Sequence, residues 1–103
     1  MKTDERIRTL HPAGKQGVNI ERSKYDLVRR ALLRVIPRSS AGVPFVELRE
    51  LVRPHLEAGG FPPDSSISWY VTAVKQDLEA RGEIAQVAGV RPQRLRRTRK
   101  GDQ

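Results

Sequence analysis

Cysteine is absent from all 103 residues. That excludes disulfides and thiolate-bound metal, and it fits a reducing compartment, so a cytoplasmic location is expected. Aromatic side chains are scarce, with one tryptophan, two tyrosines and two phenylalanines, so any core must be mainly aliphatic. No apolar run approaches the ~20 residues of a membrane-spanning helix, and no membrane partner is expected. The start, Met1-Lys2-Thr3-Asp4-Glu5, carries acids and leads into no apolar stretch, unlike a secretory signal. Acids are also few, 12 against 20 lysines and arginines, which leaves a formal net charge of +8.

That charge is concentrated. Arg22 to Arg38 holds six bases and one acid, and Ile84 to Gln103 holds the same balance, so each segment is +5 and the remainder is −2. Clustered positive charge of this kind suits a polyanionic partner.

Residues 1–22 have no clear periodicity. His11-Pro12-Ala13-Gly14-Lys15-Gln16-Gly17 is rich in turn formers. Ile7, Leu10, Val18 and Ile20 are apolar enough to pack, so an extended arm tied down at those points is expected. A first helix should span Lys24 to Ile36. Ser23 and Asp26 form a capping box at its start. Tyr25, Val28, Leu32, Val35 and Ile36 recur at helical spacing, and Pro37 ends the helix.

Val43-Pro44-Phe45 reads as a short edge strand. A second helix beginning near Val46 carries Val46, Leu48, Leu51, Val52 and Leu56, with a kink or a second short turn at Pro54. The third helix begins at Asp64, Ser65 or Ser66, each a suitable N-cap. It runs to Arg81, with Gly82 as a left-handed C-cap. Ile67, Tyr70, Val71, Val74 and Leu78 share one face, and Ser65, Trp69, Thr72, Ala73 and Gln76 the opposite one. Glu83–Val87 and Gln93–Thr98 flank a Gly-containing loop and read as a hairpin with Leu95 inward and Arg94 and Arg96 outward. Tyr25, Val28, Leu32, Leu48, Leu51, Ile67, Val71, Val74, Leu78, Ile84 and Leu95 should share one core. Residues 99–103 read as a disordered basic tail.

Catalytic chemistry is not visible in this pattern. His11 and His55 are far apart, each beside a proline, and fit no metal-ligand spacing. Gly14-Lys15-Gln16-Gly17 lacks the spacing of a phosphate loop and reads as a turn. Asp77 and Arg81 form an i,i+4 pair that reads as a helix staple. No enzyme activity, cofactor, metal or small-molecule substrate is expected.

The order of helix, short strand, two helices and basic hairpin over residues 23–98 resembles the winged helix-turn-helix family. The corresponding class is mainly α with a small β-hairpin: three helices and a C-terminal wing sheet of two to three strands. More narrowly, Gly17-Val18-Asn19-Ile20, Lys24-Tyr25, Ser68-Trp69-Tyr70-Val71-Thr72, Asp77-Leu78-Glu79-Ala80-Arg81-Gly82 and Arg91-Pro92-Gln93-Arg94-Leu95 are similar to a group of small bacterial proteins of unassigned function. The resemblance implies that the third helix is a recognition helix and that residues 88–93 form the tip of a wing.

Ser65, Ser68, Trp69, Thr72 and Gln76 on the helix, with Arg91, Arg94, Arg96 and Arg97 on the wing, are then the candidate contacts to nucleic acid, duplex DNA ahead of RNA. Gln76 suits a bidentate contact to adenine, and wing arginines suit phosphates or a minor groove. Two features weigh against groove reading: the third helix has no net charge, and Asp64 stands at its start. Trp69 has three readings, namely cover by the arm, a homodimer contact, or stacking on nucleic acid. The competing function is a non-catalytic protein-interaction module that uses Trp69 and the arm.

Overall fold

The computed structural model describes residues 5–63 and 65–100. Three aliphatic stripes organise it. Tyr25, Val28 and Leu32 project from α1 (Arg22–Val35), Leu48, Val52 and Leu56 from α2 (Leu48–Ala58), and Val71, Val74 and Leu78 from α3 (Ile67–Ala80). Helical spacing puts each set on one side of its helix, and all nine are buried together with Ile20, Ile36, Phe61, Ile84 and Leu95. The expected core holds apart from Leu51, which is 38% exposed. Ile67 is only partly buried but packs against the cluster.

The strands form two small antiparallel sheets. β1 (Arg6–Arg8) pairs with β2 (Asn19–Glu21), with Ile7 opposite Ile20. The second sheet has the order β3-β5-β4, built from β3 (Val43–Pro44), β4 (Ile84–Gln86) and β5 (Arg94–Arg97). Pro44 stands on its edge strand, where a missing N–H costs no ladder bond. Leu95, on the central strand, points into the core. The chain is thus an α+β fold of three helices and two small sheets.

Several local expectations need correction. The arm over residues 1–22 is tied down at Ile7, Val18 and Ile20 but not at Leu10, which is 45% exposed, and within its described part it folds back on itself as the β1–β2 ribbon. Thr9 is buried, its N–H donates to the Val18 carbonyl at 2.8 Å, and its hydroxyl accepts from the Val18 N–H at 3.0 Å. The Ser23–Asp26 capping box does not form. β2 runs straight into α1, Glu21 takes the N-cap position without a side-chain bond to the free helix amides, and the Arg22 N–H donates to the Glu5 carbonyl at 2.7 Å. The ribbon therefore satisfies the first free amide of the helix.

α2 starts two residues later than expected. A single 3₁₀ turn, Phe45–Glu47, precedes it and turns Val46 outward, to 73% exposure. α2 continues through Pro54, whose ring lies on the exposed face. Ser66 caps α3, its hydroxyl accepting from the Trp69 N–H at 3.2 Å; Asp64 lies outside the described residues. At the other end Gly82, at φ +79°, closes a Schellman turn. Its N–H donates to Glu79 and that of Glu83 to Leu78. This turn sends the chain directly from α3 into β4. Of the tail expected over residues 99–103, Arg99 and Lys100 are exposed, and residues 101–103 lie outside the described part.

Candidate functional site

α3 leaves one strip of its surface open. Ser68, Trp69 and Thr72 are exposed and Gln76 is half-buried. Trp69 is 46% exposed and rests edge-on against Tyr70, 4.9 Å between ring centres, while Tyr70 in turn meets Phe61. Ser65 is half-buried just before the helix. Ala73, expected on this outward face, is buried.

At about 100° per residue, Asp77 and Glu79 fall about 80° to either side of Trp69. These two carboxylates attach the neighbours of the strip. On one side the Leu10 N–H of the ribbon donates to Asp77 Oδ1 at 2.8 Å. On the other, Gln86 Nε2 of β4 donates to Glu79 Oε2 at 2.9 Å. The open strip of α3 therefore lies between the N-terminal ribbon and the C-terminal hairpin.

The charges of α3 and its C-cap are consumed internally. Lys75 Nζ lies 2.9 Å from Glu79 Oε1 and over the Phe45 ring, 5.0 Å from its centre. Arg81 Nε lies 2.8 Å from Asp77 Oδ2, and that bond raises the Arg81 pKa above its ordinary value. Asp77 also accepts from the Tyr25 hydroxyl and is fully buried. It is more than the i,i+4 staple visible in the sequence, because it joins α1, α3 and the ribbon. Burial and this hydrogen bond push the Tyr25 phenol well up from its ordinary pKa.

The hairpin arginines divide into two pairs. Arg94 turns back onto the domain, donating from Nε to the Ala41 carbonyl at 2.7 Å and from Nη2 to Gly42 at 3.2 Å. Arg97 donates from Nε to the Ile36 carbonyl at 3.2 Å. Arg94 closes the hairpin against the loop before β3 and Arg97 against the end of α1, so these two candidate contact residues act as structural clamps. Arg91 is exposed at the tip, and Arg96, opposite Ala85 in the β4–β5 pair, is half-buried. Neither Arg91 nor Arg96 has an ion pair or side-chain hydrogen bond among the described residues.

Sequence reasoning did not single out Arg49. It projects from α2 beside the start of α3 and donates from Nη1 to the Ser68 hydroxyl at 3.2 Å. Its own signal was only a base on the polar side of a helix; the packing of α2 on α3 gives it a place. Glu50 bonds both Arg49 and Arg53, and the Arg53 contact chiefly lowers the Glu50 pKa. Among the described residues no group of three acidic, histidine or cysteine side chains is placed to hold a metal ion. No described helix is long and apolar enough to cross a membrane.

These features define an α+β domain with an uncharged polar helix strip set between two basic strand pairs. The chain belongs to the family of unknown function DUF6958, which matches residues 6–95. That span begins with β1 and ends in β5, so it includes the ribbon as well as the helices. No curated protein and no solved structure matches the chain significantly.

Proposed function

We propose that this domain is a winged-helix nucleic-acid-binding module that holds duplex DNA without catalysing a reaction. On this reading the β4–β5 hairpin is the wing and α3 the recognition helix. The order α1, β3, α2, α3, β4, β5 and the sheet order β3-β5-β4 support the fold assignment. One observation carries the function. The charges of α3 pair internally, while unpaired Arg91 and Arg96 stand on the adjoining hairpin. A neutral polar helix can approach base edges, and the arginines beside it supply attraction to the phosphates. Such a module would act in the cytoplasm as a transcription regulator or accessory factor.

The test is a titration of the full chain on mixed-sequence duplex DNA, and on RNA, at several salt concentrations. A log affinity for DNA that falls linearly with log salt, and an affinity that exceeds that for RNA, are the expected results. A chain ending at Thr98 must retain it, because Arg99 and Lys100 alone could give loose binding. Absence of salt-dependent affinity in that shortened chain overturns the reading.

A second reading has its own observation. Trp69 and Val46 are large apolar side chains at 46% and 73% exposure, which suits a protein-interaction module or a homodimer. Sedimentation that shows self-association, together with Trp emission that shifts with concentration, would favour it.

A further inference from the structure

The proposed winged-helix reading assigns phosphate contacts to one side of α3 only, and the opposite side is occupied by the β1–β2 ribbon. Leu10 bonds Asp77 through its backbone, and Thr9 just before it is buried and bonded to Val18. The ribbon is thus fixed to α3 and does not trail from it. Its burial alternates, with Ile7 turned toward the core and Arg6 and Arg8 exposed. Arg6 donates to the Asn19 carbonyl at 2.8 Å. Arg8 and Lys15 have no side-chain partner among the described residues and are exposed. Arg8 lies two residues before the tether and Lys15 five residues after it, in the loop that joins β1 to β2.

Resting on that reading, we propose that the ribbon is a second phosphate-binding arm. Arg8 and Lys15 grip the backbone of the same duplex from the side of α3 opposite Arg91 and Arg96. Three geometric facts converge on this. Asp77 and Glu79 attach ribbon and hairpin to opposite borders of one open strip. Both attached elements carry unpaired bases. The strip between them carries no free charge to compete for phosphate. A duplex seated on the strip would meet positive charge on both flanks, and a small domain would gain ionic contacts without enlarging its recognition helix.

The experiment uses the full chain and a short mixed-sequence duplex, with affinity read by fluorescence anisotropy across a salt series. Arg8→Ala and Lys15→Ala should each reduce the slope of log affinity against log salt by about one unit, and the double variant by about two. Arg8→Lys should keep the slope, since it keeps the charge. Circular dichroism should show unaltered helix content, because neither side chain is bonded to the fold. Arg91→Ala is measured in parallel. If it lowers the slope while the double variant keeps the wild-type value, the ribbon proposal is overturned and the wing reading stands. If the wild-type chain shows no salt-dependent affinity, both are overturned.

Discussion

The Tyr25 hydroxyl of α1 donates to the fully buried carboxylate of Asp77 on α3. The same carboxylate accepts from the Leu10 N–H and from Arg81, so one acidic group holds two helices and the ribbon together. Removing it orphans three donors, and leaving a buried polar network half-satisfied is costly. Asp77→Ala should lose about 3–5 kcal/mol, and Tyr25→Phe about 1.5–3 kcal/mol, in urea unfolding. A neutral outcome for Asp77→Ala would remove the network from the account of stability.

The same contact predicts alkaline sensitivity. Burial, then the Asp77 hydrogen bond, raise the Tyr25 phenol above its ordinary value of 10.0. The folded state keeps that proton at a pH where the unfolded chain gives it up. The stabilisation is therefore complete below pH ~10 and declines above it, by up to about 1.4 kcal/mol per pH unit. Comparing unfolding of the wild type and Tyr25→Phe between pH 8 and 11 (roughly the span around a free tyrosine) isolates the effect. Parallel pH profiles for the two proteins would contradict it.

Arg94 and Arg91 should behave differently although both belong to the basic hairpin. Arg94 satisfies the carbonyls of Ala41 and Gly42, so Arg94→Ala should lower stability by about 1–3 kcal/mol. Arg91→Ala and Arg96→Ala should stay within about 0.5 kcal/mol of wild type yet each reduce the salt slope of DNA binding. Thermal melts and the salt titration together decide this. Equal melting temperatures for all three variants would show that Arg94 is not a clamp.

Gly17 permits the ribbon to close. A Cβ there would stand 1.8 Å from the Thr9 carbonyl oxygen, a backbone atom that cannot swing aside. Gly17→Ala should break the Thr9–Val18 bonds and cost about 1–3 kcal/mol. Hydrogen exchange should quicken at Thr9, Leu10 and Val18 while the cores of α1 and α2 remain protected. Unchanged protection at Thr9 would disprove the role.

Gln76 is the candidate for sequence preference. It is half-buried on the open strip, and a bidentate contact to adenine is worth about 1–3 kcal/mol of discrimination. Gln76→Ala should flatten the difference between preferred and random duplexes and leave the salt slope intact. Loss of affinity on all sequences alike would assign Gln76 to packing.

The sequence by itself determined the three helices, the hairpin and nearly the whole core. Those features depend on neighbours three or four residues apart, on Gly82 and on the alternation around Leu95, and such local rules are written in order along the chain. It also placed the arginines on the hairpin. Which of them are free was decided only in three dimensions, because the carbonyls that engage Arg94 and Arg97 come from Ala41, Gly42 and Ile36, more than 50 positions away. The ribbon was equally hidden: two three-residue strands are too short for periodicity to register, and their pairing rests on Gly17 passing close to Thr9. Asp77 read as a helix staple because Arg81 is a local neighbour, whereas Tyr25 and Leu10 lie 52 and 67 residues away. The difference is one of range, since helix propensity is local and the bonding of a buried charge is settled by whatever the fold packs against it.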